Sequence, residues 1–123
     1  KIYYMEIHKL ILENLTSGII TLDSYGTVLY INPMAEKILH INHKKIIGKT
    51  YNEAFGVYFE LENLITQMIK ENKTVRRGEI EIGHGSIILK IGYSSMPLKN
   101  EEGKHFGYNI IFQDLDVISA YDK

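Results

Sequence analysis

The five histidines are the residues of this chain with the most versatile chemistry, because imidazole binds metal ions or heme iron and exchanges protons near neutral pH. His40 and His43 are three residues apart, the spacing of two side chains on one face of a helix. A helix that begins at Pro33 is expected to end near these residues, however, and the surrounding asparagine and lysines favour solvated side chains. His84 lies between two glycines and His105 begins a strand-like run, so the pattern predicts no metal site.

No other set of residues has the spacing of a catalytic site. The chain has no cysteine, which excludes disulfide bonds, cysteine-ligated zinc or iron–sulfur centres and a cysteine nucleophile. It also has no nucleophile elbow and no glycine-rich phosphate loop. Arg76 and Arg77 are adjacent, and neighbouring side chains of a regular strand point to opposite faces, so we expect exposed residues rather than a joint anion site. We therefore expect that this chain itself is not an enzyme.

The size and charge of the chain favour one globular domain. A chain of 123 residues builds a single hydrophobic core without covalent cross-links. With 14 basic and 15 acidic residues, the formal charge is -1, and no overall field attracts nucleic acid or acidic lipid. The apolar runs are too short to span a bilayer and the first residues do not resemble a signal peptide, so we expect a cytoplasmic domain without membrane contacts of its own. Because the sequence stops at Lys123 without a closing element, we expect a piece of a longer protein, which can itself be membrane-attached.

The spacing of apolar residues predicts an α+β order of elements. Helical periodicity covers residues 2–14 and, most clearly, residues 60–72, where apolar residues recur at i, i+3, i+4, i+7 and i+8. Asn32 and Pro33 are typical of a helix start, and residues 40–56 indicate short helical turns. Runs rich in β-branched and aromatic residues predict five strands, at residues 17–23, 27–31, 74–82, 86–96 and 105–114.

Several short segments, taken in order, resemble a known signalling domain. They include Leu15-Thr16-Ser17-Gly18-Ile19-Ile20-Thr21-Leu22-Asp23, Tyr30-Ile31-Asn32-Pro33, Ile46-Ile47-Gly48-Lys49, Ser94-Ser95-Met96-Pro97-Leu98 and Phe112-Gln113-Asp114-Leu115. Together they span residues 11–116 in the order and spacing of a PAS domain. The last segment is most similar to cytoplasmic PAS sensor domains of bacterial sensor histidine kinases of the nitrogen-regulation type. Asp116 stands where a Thr or Ser is usual in that exit motif.

The resemblance implies a PAS fold, with a five-stranded antiparallel sheet and short helices over one face, preceded here by an N-terminal amphipathic helix. We expect residues 1–14 to form this helical cap, residues 15–115 the PAS domain, and residues 116–123 the start of a linker to an effector domain. The fold also implies a pocket between the sheet and the helices. The residues predicted to line it are Ile47, Phe55, Leu64, Ile65, Met68, Leu89, Ile91, Tyr93, Tyr108 and Ile110.

The identity of any ligand in this pocket stays open. Heme sites in PAS domains usually take an axial histidine from the long helix or the segment before it, and residues 59–72 contain none, which disfavours heme. A covalent flavin adduct or a hydroxycinnamoyl thioester requires a cysteine, and the absence of tryptophan removes one common stacking partner of non-covalent flavin. The apolar lining suits a small apolar ligand or none, because a helical stripe such as Leu64, Ile65 and Met68 is more often part of a core than of a ligand site.

Four residues have predicted roles outside the pocket. Asn32 is expected to cap the helix that follows it, and its side chain can also fix the strand-to-helix corner. Asp114 lies where the last strand meets the outgoing segment, so its carboxylate can cap that segment and act in signal relay. Ile7 and Ile11 on the N-terminal helix are expected to be exposed unless covered, which predicts a dimer contact.

These features lead to one principal functional hypothesis. We expect a cytoplasmic PAS module that senses or dimerises and regulates its own C-terminal effector domain, in a sensor histidine kinase of a two-component system. One alternative is a dimerisation spacer without ligand in a transcriptional activator that has an ATPase region. A second alternative is a stand-alone carrier of a small molecule. We expect a homodimer that contacts neither nucleic acid nor membrane through this domain.

Overall fold

The computed structural model describes residues 2–116, which form a five-stranded antiparallel sheet with short helices packed on one face. The helices are α1 (Ile2–Glu13), α2 (Pro33–Leu39), α3 (His43–Ile46), α4 (Tyr51–Phe55) and α5 (Phe59–Glu71). The strands are β1 (Gly18–Asp23), β2 (Val28–Ile31), β3 (Val75–His84), β4 (Ile87–Lys99) and β5 (His105–Asp114). The predicted α+β class is confirmed.

The last strand of the chain lies in the middle of the sheet. The spatial order is β2-β1-β5-β4-β3, and every neighbouring pair is antiparallel. Gly18 at the start of β1 lies opposite Phe112, and Ile91 on β4 lies opposite Asp114. The end of β5 is therefore bonded to both halves of the sheet.

The hydrophobic core lies between the inner face of the sheet and helices α2 to α5. On β5, Tyr108, Ile110 and Phe112 are buried, whereas Asn109 and Ile111 between them are more exposed. The other buried members of this cluster are Ile20, Leu22, Val28, Ile31, Ala35, Ile38, Leu39, Ile46, Phe55, Tyr58, Leu61, Leu64, Ile65, Met68, Ile82 and Ile91. Each large aliphatic or aromatic side chain contributes about 1.5–3 kcal/mol by leaving water, so this layer dominates the stability of the domain.

Polar residues cap the starts of α3 and α4 and the end of α5. The side chain of Asn42 accepts the N–H of Lys44 at 2.9 Å at the start of α3, and the side chain of Thr50 caps α4. Asn72 ends α5 in a left-handed conformation with φ of 52°. Caps this close together keep α3 and α4 short, as the sequence predicts. Among residues 2–116, no helix has the length and apolar character needed to cross a membrane.

The turn between β1 and β2 fixes α4 beside the sheet. Gly26 has φ of +88°, which other residues rarely adopt, and a Cβ there would lie 2.7 Å from the ring of Tyr51. The carbonyl of Gly26 accepts the backbone N–H of Tyr51 at 2.9 Å. The backbone of Val28 bonds to Gly48 and Lys49, each at 2.8 Å, so the outer edge of β2 is covered.

Strand β4 is longer than the sequence predicts, because it continues through Pro97 to Lys99 instead of ending before the proline. Pro97 pairs with Tyr108 on β5. On the other side, the pairing with β3 ends where Val75 meets Ser95. Beyond that point β4 has a neighbour on one side only, and a proline without an N–H is tolerated on such an edge.

Arg76 and Arg77 are exposed, as predicted, but a β-bulge at the start of β3 removes the reason for expecting them on opposite faces. Val75 pairs with Ser95 and Gly78 pairs with Tyr93, so two residues of β3, Arg76 and Arg77, lie opposite the single residue Ser94 of β4. A bulge interrupts the alternation of side chains. The argument that adjacent residues must face opposite sides therefore fails here, and both arginines line one groove.

Replacing Gly107 by Ala is expected to destabilise the domain, because the new Cβ would collide with the backbone oxygen of Leu22 on β1. The oxygen belongs to the β1–β5 ladder and cannot move freely, so we expect the free energy of unfolding in urea to fall by about 1–3 kcal/mol. Gly83→Ala is the matched control, since nothing lies within 4 Å of a Cβ there, and its effect should stay within about 0.5 kcal/mol. Equal effects of the two substitutions would contradict the close approach of β1 and β5.

Candidate functional site

The corner between β2 and α2 is built around the side chain of Asn32, which is 0% exposed. Its Oδ1 accepts two backbone N–H groups, from Ile19 at 2.8 Å and from Ala35 at 3.0 Å. Its Nδ2 donates to two backbone carbonyls, those of Leu12 at 3.1 Å and Ser17 at 2.9 Å. Asn32 therefore caps α2 and at the same time ties the end of α1 and the start of β1 to that cap.

Nine of the ten residues predicted to line a pocket lie together. Phe55, Leu64, Ile65, Met68, Ile91, Tyr108 and Ile110 are buried in the core cluster, and Leu89 and Tyr93 pack against it. Ile47 is placed elsewhere, because it follows the last residue of α3 and is 42% exposed. The adjacent Ile46 occupies the buried side of this short helix, and two successive residues cannot both face the core.

A cleft of about 240 Å³ opens from this layer toward solvent, between α5 and the strands β3 and β4. We call it the α5 cleft. Leu64, Met68 and Tyr93 of the predicted set line it. The seven other lining residues, which sequence reasoning missed, are Glu60, Asn63, Gln67, Glu71, Lys73, Val75 and Ser95. Ser95 follows Ile91 and Tyr93 at the period of a strand, which was a usable signal, whereas Asn63 and Gln67 lie outside the apolar stripe of α5 and gave none.

Asp114 and Leu115 make local contacts at the exit from β5. Oδ1 of Asp114 accepts the backbone N–H of Asp116 at 3.0 Å, in the manner of a helix cap. The side chain of Leu115 folds back onto β4, where a Cβ on Gly92 would lie 3.0 Å from its Cδ2 atom. The absence of a side chain at Gly92 thus leaves room for Leu115. Most of the predicted linker, residues 117–123, lies outside the described residues.

Helix α1 presents apolar side chains to solvent. Of the two predicted dimer contacts, Ile11 is 53% exposed and Ile7 is partly buried, so Ile11 is the more accessible. Leu10 and Leu15 are also exposed, and sequence reasoning did not single them out. Exposed apolar residues in one group favour contact with another surface.

His40 and His43, which follow α2, have different surroundings in the structure. His43 lies beside Glu36, with its backbone N–H 2.8 Å and its Nδ1 2.9 Å from the same carboxylate oxygen. Burial alone would raise the pKa of Glu36, but the hydrogen bonds from His43 prevail and hold it below its ordinary value. His40 is exposed in a left-handed conformation after α2. In the described part of the chain, no group of three or more His, Cys, Asp and Glu residues is arranged to hold a metal ion.

Asn32→Ala is expected to cost about 2–4 kcal/mol in the free energy of unfolding, because it leaves buried backbone groups at the corner without partners. Asn42→Ala provides the matched control, since Asn42 makes one exposed cap bond and its loss should cost about 1 kcal/mol or less. Urea denaturation of both variants checks the difference. A cost at Asn32 no larger than that at Asn42 would show that the corner does not depend on the amide.

A family model described as the PAS fold matches residues 8–115. The signal transduction histidine-protein kinase AtoS of Escherichia coli (strain K12) is 24% identical over 109 residues. This match covers 89% of the present chain and 18% of AtoS, so the chain spans less than a fifth of the length of that relative.

Solved structures of PAS domains superpose on most of the chain. The PAS domain of BvgS from Bordetella pertussis has a TM-score of 0.72 and 15% identity, over 98% of this chain and 95% of that one. The PAS domain of nitrogen regulation protein NR(II) from Vibrio parahaemolyticus has a TM-score of 0.65 and 16% identity, over 88% and 97% respectively. At such low identities, the superposition shows a shared fold. The match of the family model to residues 8–115 shows that this chain belongs to the PAS family.

Proposed function

We propose that this chain is a cytoplasmic sensory and dimerisation module, that it regulates an output domain following it in the same protein, and that this output domain is a sensor histidine kinase. The observation that carries the proposal is the match of 89% of the chain to a small part of a histidine-protein kinase. Because the match covers only 18% of AtoS, most of the length of that protein remains for other domains. The signalling role then requires a route from the PAS core to the outgoing chain.

The proposed route is the end of β5. Its inner residues Ile110 and Phe112 are in the core, so a change in core packing acts directly on this strand. Two residues further, Asp114 caps the backbone at Asp116. A shift of β5 would alter this cap and thereby the direction in which the outgoing segment starts.

We propose that a signal molecule, where one is used, is small and apolar and enters through the α5 cleft. The cleft leads to Leu64, Met68 and Tyr93, which belong to the predicted pocket. Its volume of about 240 Å³ is below the roughly 300–1,000 Å³ of sites for drug-sized ligands. Heme and flavin are too large for this space without rearrangement of α5.

We propose that the domain forms a homodimer through α1, with Ile11 at the contact and Ile7 beside it. The support is the exposure of Leu10 and Ile11 on α1 and of Leu15 in the segment between α1 and β1. A dimer through α1 would bring the corner at Asn32 close to the subunit contact, because Asn32 bonds to the carbonyl of Leu12 at the end of this helix.

Asp114→Ala in the full-length protein is expected to change the rate of ATP-dependent autophosphorylation on histidine. Loss of a helix cap costs about 1 kcal/mol, so the equilibrium constant between two output states would change by up to roughly fivefold. Asp116→Ala is the matched control, because Asp116 contributes its backbone N–H to this contact and the substitution keeps it.

Circular dichroism must show an unchanged fold for both variants before the rates are compared. An Asp114 variant with the rate of the wild-type protein would remove Asp114 from the relay. A full-length protein that hydrolyses ATP without forming phosphohistidine would contradict the kinase assignment and favour the ATPase-type activator.

Native mass spectrometry of the purified domain is expected to give twice the mass of one chain, with no added mass of a heme or a flavin. Ile11→Glu should shift the protein toward monomer, because it places a charge in the proposed apolar contact. Leu29→Glu, at a residue that is 49% exposed on β2, is the control and should leave the dimer intact. A dimer that survives Ile11→Glu but not Leu29→Glu would place the contact on β2 instead.

A further inference from the structure

The outer face of the sheet, which points away from the helices, contains a groove of about 440 Å³ across β1, β5, β4 and β3. We call it the outer groove. Its polar side chains are Ser17, Arg76, Arg77, Glu79, Ser94 and Gln113. Ile111 and Gln113 alternate along β5 with the buried Ile110 and Phe112, so these two lining side chains lie on the face opposite the core. The groove also reaches Phe112 of the core and Tyr93, which packs against it. Tyr93 borders both the outer groove and the α5 cleft, whereas Arg76, Arg77 and Gln113 line the outer groove and not the cleft.

The bulge in β3 gives the groove its positive end. Arg76 and Arg77 lie together opposite Ser94, where a regular strand would have turned one of them to the inner face. The hydroxyl of Ser94 donates to the carbonyl of Arg76 at 2.6 Å, which holds the bulged backbone in place. The local backbone thus brings both arginines into the lining of one groove.

The charge of this end is not neutralised by ion pairs. Within residues 2–116, the salt bridges are those of Lys9 with Glu13, His43 with Glu36 and Lys73 with Glu71, and neither arginine takes part in one. Glu79 is the one carboxylate among the residues that line the groove, so the lining has a net positive charge from Arg76 and Arg77. The planar guanidinium group matches a carboxylate in a bidentate manner.

The rest of the groove offers an apolar floor and a polar far end. Ile111 of β5 and Gly92 of β4 lie between the arginines and β1. At the far side, Nε2 of Gln113 donates to the hydroxyl of Ser17 at 3.0 Å, and the Gln113 carbonyl oxygen and the Ser17 hydroxyl can bond to a ligand. Strands are about 4.8 Å apart, so a molecule reaching from β3 to β1 crosses about 14 Å.

We propose that the outer groove binds a small organic carboxylate, with its carboxylate group on Arg76 and Arg77 and its body over Ile111 toward Gln113. Glu79 disfavours a more highly charged group such as a phosphate dianion, because it faces the same end of the groove. Gly92 lines the groove and also seats Leu115, so a ligand bound there adjoins the exit from β5. Any effect of the ligand on output rests on the function proposed above, whereas binding itself does not.

The test is titration of the purified domain with succinate, glutarate and inorganic phosphate, followed by isothermal calorimetry and by backbone amide shifts in NMR spectra. We expect saturable binding of the dicarboxylates, weaker binding of phosphate, and shifts that centre on residues 76–79, 92–94 and 111–113. The double substitution Arg76→Gln and Arg77→Gln should weaken binding by about tenfold or more. Glu79→Gln should strengthen it, because it removes the opposing charge.

The matched control is the double substitution Lys99→Gln and Lys104→Gln, which removes the same charge from exposed residues outside the groove. It should leave the dissociation constant unchanged within about twofold. Absence of saturable binding by any of the three probes, or equal losses in the two double variants, would overturn the proposal. A change in oligomeric state without binding of small carboxylates would also overturn it and would indicate a contact between copies of the chain. Neither result depends on the kinase assignment.

Discussion

The buried amide of Asn32 is the interaction on which the rest of this structure depends. It bonds to two buried backbone N–H groups and to two partly buried backbone carbonyls. Both donors and acceptors are needed, so neither an aspartate nor an apolar residue of similar size can replace it. Through this one side chain, the end of α1, the start of β1 and the first turn of α2 are held in a single arrangement.

The topology connects this corner to the exit of the domain. β1 starts at the corner and pairs along its length with β5, which ends at Asp114. Gly107 allows the two backbones to approach closely, and Gly92 allows Leu115 to fold back onto β4. A structural change at α1, in the core or on the outer face of the sheet therefore acts on the same central strand, β5. This arrangement is the physical basis on which we propose that the subunit contact, the ligand site and the outgoing segment act on one another.

Burial of one face made much of the fold predictable from the sequence. Apolar residues then recur with the period of 2 of a strand or the period of 3.6 of a helix. The predicted strand at residues 105–114 coincides with β5, and Asn32 and Pro33 start α2 as the sequence indicates. The errors occur where the outcome depends on a distant partner. Pro97 lies within β4 because β3 has already ended beside it.

The two arginines show the same limit, since only the pairing with β4 reveals that Ser94 lies opposite both of them. The buried Tyr58, whose hydroxyl donates to the carbonyl of Leu39, gave no periodic signal either. The exit from β5, through which the proposed relay runs, also includes such a non-local contact, that between Leu115 and Gly92. The most direct test is a double-mutant cycle with Gly92→Ala and Leu115→Ala, read out as autophosphorylation of the full-length protein. Non-additive effects of the two substitutions are predicted, because they act on one contact, whereas two purely additive effects, or none, would contradict a relay through this exit.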